Sequence, residues 1–161
     1  MSFETLQAEL AHPPTARPDP ARIPRWVDLL ITAGRHSGAT DLHLTPSPRG
    51  LVVEARIDGA LHEKALVPAS LAPNMIARIK VLADLLTYRT DLPQEGRLKT
   101  TPSSPETRVA EAEIRVVTFP TLHGEKLVLR LFAAGDQLKR LDDLQFPDPI
   151  ALSLRLALGQ P

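Results

Sequence analysis

The chain has no cysteine, which excludes disulfides and thiolate metal sites and fits a reducing compartment. Aromatic residues are scarce, with one Trp, one Tyr and four Phe, too few to build a base-stacking platform. Neither sign of charge prevails: Lys+Arg and Asp+Glu are both 19, for a formal net charge of zero. That balance argues against bulk attraction to nucleic acid or to an anionic membrane. No apolar run approaches the roughly 20 residues that a membrane-crossing helix needs. The start, MSFETLQAEL, lacks the basic-then-apolar pattern of a secretory signal. No stretch fits G-x-x-x-x-G-K-[ST], the loop whose backbone amides cradle phosphates. A cytoplasmic chain is expected, with no nucleic-acid partner, no direct membrane insertion and no phosphate loop of its own.

Proline, by contrast, is plentiful, at 16 residues. Pro13, Pro14, Pro18, Pro20 and Pro24 crowd one stretch, so 11–23 reads as an extended linker behind a short helix at 2–10. Pro24 suits the first turn of a helix over about 24–36, whose stripe is Trp26, Leu29, Leu30 and Ala33. Alternation then predicts strands at 41–46, 51–57 and 60–66, the last two joined by the hairpin signal Asp58-Gly59. A helix over about 70–87 follows, with Ser70 as cap and Ile76, Ile79, Leu82, Ala83 and Leu86 turned inward. Further strands are expected near 97–101, 109–118 and 125–132, and a helix at 148–158. Short strands joined mostly by hairpins and interleaved with helices indicate an α+β fold. The expected sheet is mostly antiparallel, of about five to six strands, with helices on one face.

The hairpin at 109–132 permits a sharper inference. Inward residues are even-numbered on its first arm (Ala110, Ala112, Ile114, Val116) and odd-numbered on its second (Leu127, Leu129, Leu131). For both arms to bury the same face, paired positions must sum to an odd number. A loop at 121–124 then sets Arg115 opposite Arg130, and other odd sums leave the two on one diagonal. Like charges facing each other across strands are destabilising. One reading is a solvated face on which Glu111, Glu113 and Glu125 neutralise the arginines. The other is a phosphate clamp, because guanidinium offers a planar fork of donors that never loses its charge. Arg97, at the end of PQEGR, joins the pair if its strand is a sheet neighbour. Spacing alone does not select between the two readings. His43, His62 and His123 have no second ligand at metal-binding spacing, and no metal site is expected.

The order of four segments adds to this reading. SGATDLHLTP is similar to the A-S-D-I-H-I-E-P signature of type II secretion and type IV pilus assembly ATPases, the GspE/PilB family. VEARIDGALHE resembles that family's R-x-R-x-D-G-x-L-x-E hairpin. ARIKVLADLLTYRTDLPQEGRL resembles S-R-I-K-x-M-A-x-L-D-I-A-E-x-R-x-P-Q-D-G-R, and EIRVVTFPTLHGEKLVLRLF resembles V-D-x-R-V-S-x-x-P-T-x-x-G-E-K-x-V-x-R-x-L. The chain departs from these patterns at Thr45, Glu54, Tyr88, Thr90 and Glu95.

The resemblance implies a small PAS-like α+β domain that packs against the ATPase core of the same or a neighbouring subunit in a hexameric ring. It implies that Arg97, Arg115 and Arg130 approach the nucleotide phosphates and help couple domain rotation to hydrolysis. ATP and Mg²⁺ would be used only in the context of the core, which is missing from these residues, so this chain alone is not expected to hydrolyse ATP. Secretion or pilus platform proteins of the inner membrane would be indirect partners, making the chain peripheral there at most. The expected organisation is an N-terminal extension with a Pro-rich linker at 1–23, the PAS-like domain at 24–134, and a lead-in segment and helix at 135–161. The alternative is a standalone, non-catalytic protein- or anion-binding module of the same fold.

Overall fold

The computed structural model describes residues 2–11, 20–99, 113–131, 141 and 146–159. Helix α1 (Phe3–Ala11) is followed, beyond the intervening residues, by a 3₁₀ turn at Pro20–Arg22 that leads straight into α2 (Ile23–His36). Strands β1 (Asp41–Ser47), β2 (Gly50–Ile57) and β3 (Ala60–Val67) precede α3 (Ala72–Leu82). Strands β4 (Gln94–Lys99), β5 (Glu113–Thr121) and β6 (Gly124–Leu131) come next, and then α4 (Asp148–Leu158). The six strands form one sheet in the order β3-β2-β1-β6-β5-β4, and every neighbouring pair is antiparallel. The expected α+β class and antiparallel sheet are therefore what the chain adopts. Most of the Pro-rich stretch, and residues 109–112 of the expected hairpin, lie outside the described residues.

One face of the sheet carries the core. Leu42, Leu44, Val53, Ala55, Val116, Leu127 and Leu129 are fully buried there, together with Trp26, Leu30, Met75 and Ile79 of the helices. Helix α1 packs on α2 and β3, and α2 also meets α3. Glu9 at the end of α1 accepts bonds from Arg25 Nη2 at 2.9 Å, Trp26 Nε1 at 3.1 Å and Arg22 Nη2 at 3.2 Å. That one carboxylate fastens the N-terminal helix to the next. Asp58 and Gly59 both have positive φ, at 50° and 83°, the signature of the tight turn whose twist matches that of its strands. Helix α4 buries none of its side chains. Among the described residues, no helix is long and apolar enough to cross a membrane.

Helix α3 is shorter than its periodicity predicts. Asp84 sits at φ 57°, its N–H donates to Val81 O, and Leu85 N–H donates to Lys80 O at 2.8 Å. This is a Schellman stop, with aspartate in the left-handed position that glycine usually takes. Leu86, expected inside, is consequently exposed. The N-cap is Leu71, which makes no side-chain cap bond, rather than Ser70. Strand β4 passes directly beneath the end of α3, where a Cβ at Gly96 would collide with the carbonyl oxygen of Ala83. The glycine of PQEGR is thus required by close backbone approach.

Helix α3 is tied to the β5–β6 turn by an ion pair inside the molecule. Lys80 Nζ donates to both oxygens of Glu125, at 2.7 and 2.9 Å, and to Arg89 O at 2.7 Å. Both side chains are almost wholly buried. Glu125 therefore does not neutralise the arginines of the open face. Its odd number places it on the inward side of β6, where it meets lysine. Gln94 completes the arrangement by donating to Arg89 O and Leu86 O and accepting from Leu86 N–H. The 84–93 loop is thereby fixed against both α3 and the start of β4.

Removing one partner of such a pair strands a charge in the interior and costs about 3–5 kcal/mol, whereas replacing both with apolar residues of similar volume is often neutral. Lys80→Met and Glu125→Gln are each expected to lower unfolding free energy on that scale, and Lys80→Met/Glu125→Leu to recover most of it. Urea denaturation monitored by Trp26 fluorescence measures all three. Losses that simply add in the double variant would refute the buried-pair account.

Candidate functional site

The strand registers place the charged residues of the open face in one row. Arg97 of β4 opposes Arg115 of β5, and Arg115 opposes Arg130 of β6. Arg130 in turn opposes Asp41 of β1, and Asp41 opposes Arg56 of β2. Each arginine projects outward because its neighbours are committed inward. Ile114 and Val116 are buried on either side of Arg115, Leu129 and Leu131 on either side of Arg130, and Leu98 beside Arg97. With strands about 4.8 Å apart, the first three positions span about 10 Å. All three arginines read from the sequence therefore lie together, with Arg115 between the other two.

Each of the two facing arginines has a carboxylate partner, but the partners differ in kind. Arg115 Nη2 meets Glu95 Oε1 at 2.5 Å, with the two side chains 50% and 53% exposed. Arg130 Nε donates to Asp41 Oδ1 at 3.1 Å; the arginine is 60% exposed but the aspartate only 9%. Asp41 Oδ2 also accepts from Thr40 Oγ1 at 2.9 Å and lies 3.6 Å from Arg56 Nε. Arg56 is further held by a 2.9 Å bond from Nη1 to Gly59 O. An exposed pair such as Arg115–Glu95 contributes only about 0–1 kcal/mol, so an arriving anion exchanges with it at little cost. The guanidinium forks suit phosphate oxygens, whereas among the described residues no three His, Cys, Asp or Glu side chains converge as a metal-ligand set.

The sequence reading missed Asp41 and Arg56 as members of this row. Their outward parity on β1 and β2 was visible, but β1 pairs with β6 across 89 positions, and no local pattern announces that contact. A separate cleft of about 700 Å³ lies at the other end of the strands, lined by Ser47, Asn74, Lys80, Thr121 and His123 among others. Its charged floor is the Lys80–Glu125 pair, whose groups already satisfy each other, so the cleft is a weaker site than the arginine row.

His43 stands on the open face two residues from Asp41. Burial lowers its pKa, the nearby Lys126 and Arg56 lower it further, and Asp41 and Glu54 pull the other way. Its Nε2 is buried with no hydrogen-bond partner among the described residues, so protonation gains nothing there. The unfolded chain then takes up this proton before the folded one, and stability from this residue is lost as pH falls through the unfolded value of about 6.5. The melting temperature is expected to drop between about pH 7 and pH 5.5, and His43→Gln to flatten that drop. An unaltered slope in the variant would show that His43 does not contribute.

Residues 17–161 match the family model described as type II/IV secretion system protein. Over 139 residues the chain is 40% identical to the type IV pilus assembly ATPase TfpB of Acinetobacter baylyi, covering 86% of this chain and 23% of that protein. It is 34% identical over 147 residues to the type IV pilus assembly ATPase PilB of Pseudomonas aeruginosa, covering 91% and 25%. Type II secretion system protein E of Xanthomonas campestris is 34% identical over 141 residues, covering 88% and 24%. The chain thus spans about a quarter of the length of these relatives. Among solved structures, the ATPase DotB of Legionella pneumophila superposes with a TM-score of 0.54 at 13% identity, covering 87% of this chain and 36% of that one. The pilus retraction motor PilT with bound ADP superposes at 0.52 and 17% identity, covering 77% and 33%. These two likenesses show the fold.

Proposed function

The chain belongs to the type II/IV secretion system protein family, and we propose that it supplies the domain preceding the nucleotide-binding core of a hexameric secretion or pilus-assembly ATPase. In this reading residues 24–134 form that domain, 1–23 are its extension and linker, and 135–161 lead toward the core. Arg97, Arg115 and Arg130 turn toward ATP phosphates where the domain meets the core of its own or a neighbouring subunit. The observation that carries this reading is the register row, which sets three guanidiniums on adjacent strands of an open sheet face. Arg115 and Arg130 each have a carboxylate neighbour in Glu95 and Asp41, but the Arg115–Glu95 pair is solvent-exposed and so weak enough for a phosphate to displace.

The chemistry assigned to the arginines is electrostatic. A guanidinium delivered to a transferring phosphoryl group stabilises the charge that develops on its equatorial oxygens, while positioning the nucleotide and Mg²⁺ falls to the core. Contact made by one domain on a nucleotide held by another makes the rate depend on their relative orientation. That dependence gives a coupling between domain rotation and hydrolysis. Secretion or pilus platform proteins of the inner membrane would sense the motion through the ring.

Two outcomes are expected. The purified 161-residue chain shows no Mg²⁺-dependent ATP turnover in a coupled assay, since it lacks a G-x-x-x-x-G-K-[ST] loop. In the full-length ring that carries this domain, Arg115→Glu combined with Arg130→Gln lowers kcat by on the order of a thousandfold, while circular dichroism of the domain is unchanged. Glutamine at 130 avoids setting a second carboxylate against Asp41. Wild-type turnover in that variant would reject the phosphate-facing role.

A further inference from the structure

Asp41 stands apart from the other acidic residues of the open face. Its side chain is 9% exposed, against 53% for Glu95, although it shares a face with side chains that reach solvent. It is the first residue of β1, and the backbone around it is held from both sides. Thr40 N–H donates to Arg56 O at 2.9 Å, and Leu131 N–H donates to Thr40 O at 2.8 Å. The carboxylate thus sits on the seam where β2, β1 and β6 meet, with Arg56 on one flank and Arg130 on the other. It grips Arg130 through Nε, at the base of the fork, and the two Nη groups lie beyond that contact at the end of the side chain.

This geometry does something that an ordinary surface pair does not. A free arginine carries considerable rotamer entropy, much of which it would lose on meeting a phosphate. A buried acceptor at the base of the fork removes part of that freedom in advance, and the seam of three strands holds the acceptor still. From this arrangement we infer that Asp41 is a positioning residue: it sets the orientation in which Arg130 meets the nucleotide phosphates and acts on hydrolysis only through that arginine. The inference rests on the phosphate-facing role proposed above. Thr40 keeps the second carboxylate oxygen occupied and so orients the group, and Arg56 balances its charge from the other side.

The test is a double-mutant cycle in the full-length ring, read as kcat and KM for ATP. Asp41→Asn keeps the shape of the side chain and removes its charge. It is expected to lower kcat by at least about tenfold with KM changed by less than about twofold, because misplacement of a transition-state contact acts on turnover. In an Arg130→Gln background, Asp41→Asn is expected to lower kcat no further, since its target is gone. In an Arg56→Ala background it is expected to retain its full effect. Losses that multiply in the Asp41→Asn/Arg130→Gln protein would overturn the inference while leaving the phosphate-facing role intact. If Arg130→Gln alone leaves turnover unchanged, that role falls and the inference with it. Where Asp41→Asn does not fold, Asp41→Glu, which moves the charge by one methylene, goes through the same cycle with the same deciding outcomes.

Discussion

The structure depends first on a parity constraint in its central hairpin. Strands β5 and β6 must bury Ile114, Val116, Leu127, Leu129 and Leu131 on one face, and with two arms of opposite parity only odd pairing sums satisfy that demand. Once the tight turn at Leu122-His123 closes the hairpin with Thr121 opposite Gly124, no freedom remains and Arg115 faces Arg130. A shift by one residue would expose the whole apolar set, at about 0.8 kcal/mol for every methylene returned to water. The repulsion between two solvated guanidiniums is small beside that sum. The hydrophobic core therefore dictates the charge arrangement on the far side of its own sheet, and the charges on that side cannot avoid each other by slipping register.

A second constraint carries the row from two arginines to three. Arg97 lies in register with Arg115 only because β4 is drawn tight under the end of α3, and several features hold it there. Asp84 stops the helix, Gly96 admits the carbonyl of Ala83, and Gln94 binds the 84–93 loop on both its amide atoms. The Lys80–Glu125 pair fastens that assembly to the β5–β6 turn. A buried ion pair stabilises little compared with apolar packing, but its partners accept few substitutes, so it favours one arrangement over near alternatives. Here the favoured arrangement aligns an edge strand with the hairpin beside it.

Much of this was legible in the residues alone. A strand is expected near each of the six, although β4 begins at Gln94, within a stretch expected to be loop. Asp58-Gly59 announces its turn, and the parity of the two arms, with a loop at 121–124, sets Arg115 against Arg130. Less legible were features settled by contacts between segments distant in sequence. The apolar periodicity of α3 continues through Leu86, and nothing short of the left-handed Asp84 ends it. The chemistry of Glu125 suggests a surface charge, although its odd position on β6 points inward; the lysine that receives it lies 45 positions away. Asp41 reads as an unremarkable polar residue at a strand start until β1 is placed beside β6.

The two facing arginines then differ in a way that bears on how such a domain would work. Arg115 is bound to a carboxylate as exposed as itself, so water screens the pair and an incoming phosphate can displace Glu95 at small cost. Arg130 is bound to a carboxylate that is nearly buried and is shared with Thr40 and Arg56, and that carboxylate cannot leave. A phosphate arriving at the row would capture Arg115 by exchange and meet Arg130 already in place. The first contact would adapt to where the nucleotide lies, and the second would fix where it must lie for the charge to be met. A row with two exchangeable arginines would bind anions over many orientations and transmit none of them. If the proposed phosphate-facing role holds, one tethered and one releasable arginine would tie the strength of the contact to the angle between this domain and whatever holds the nucleotide.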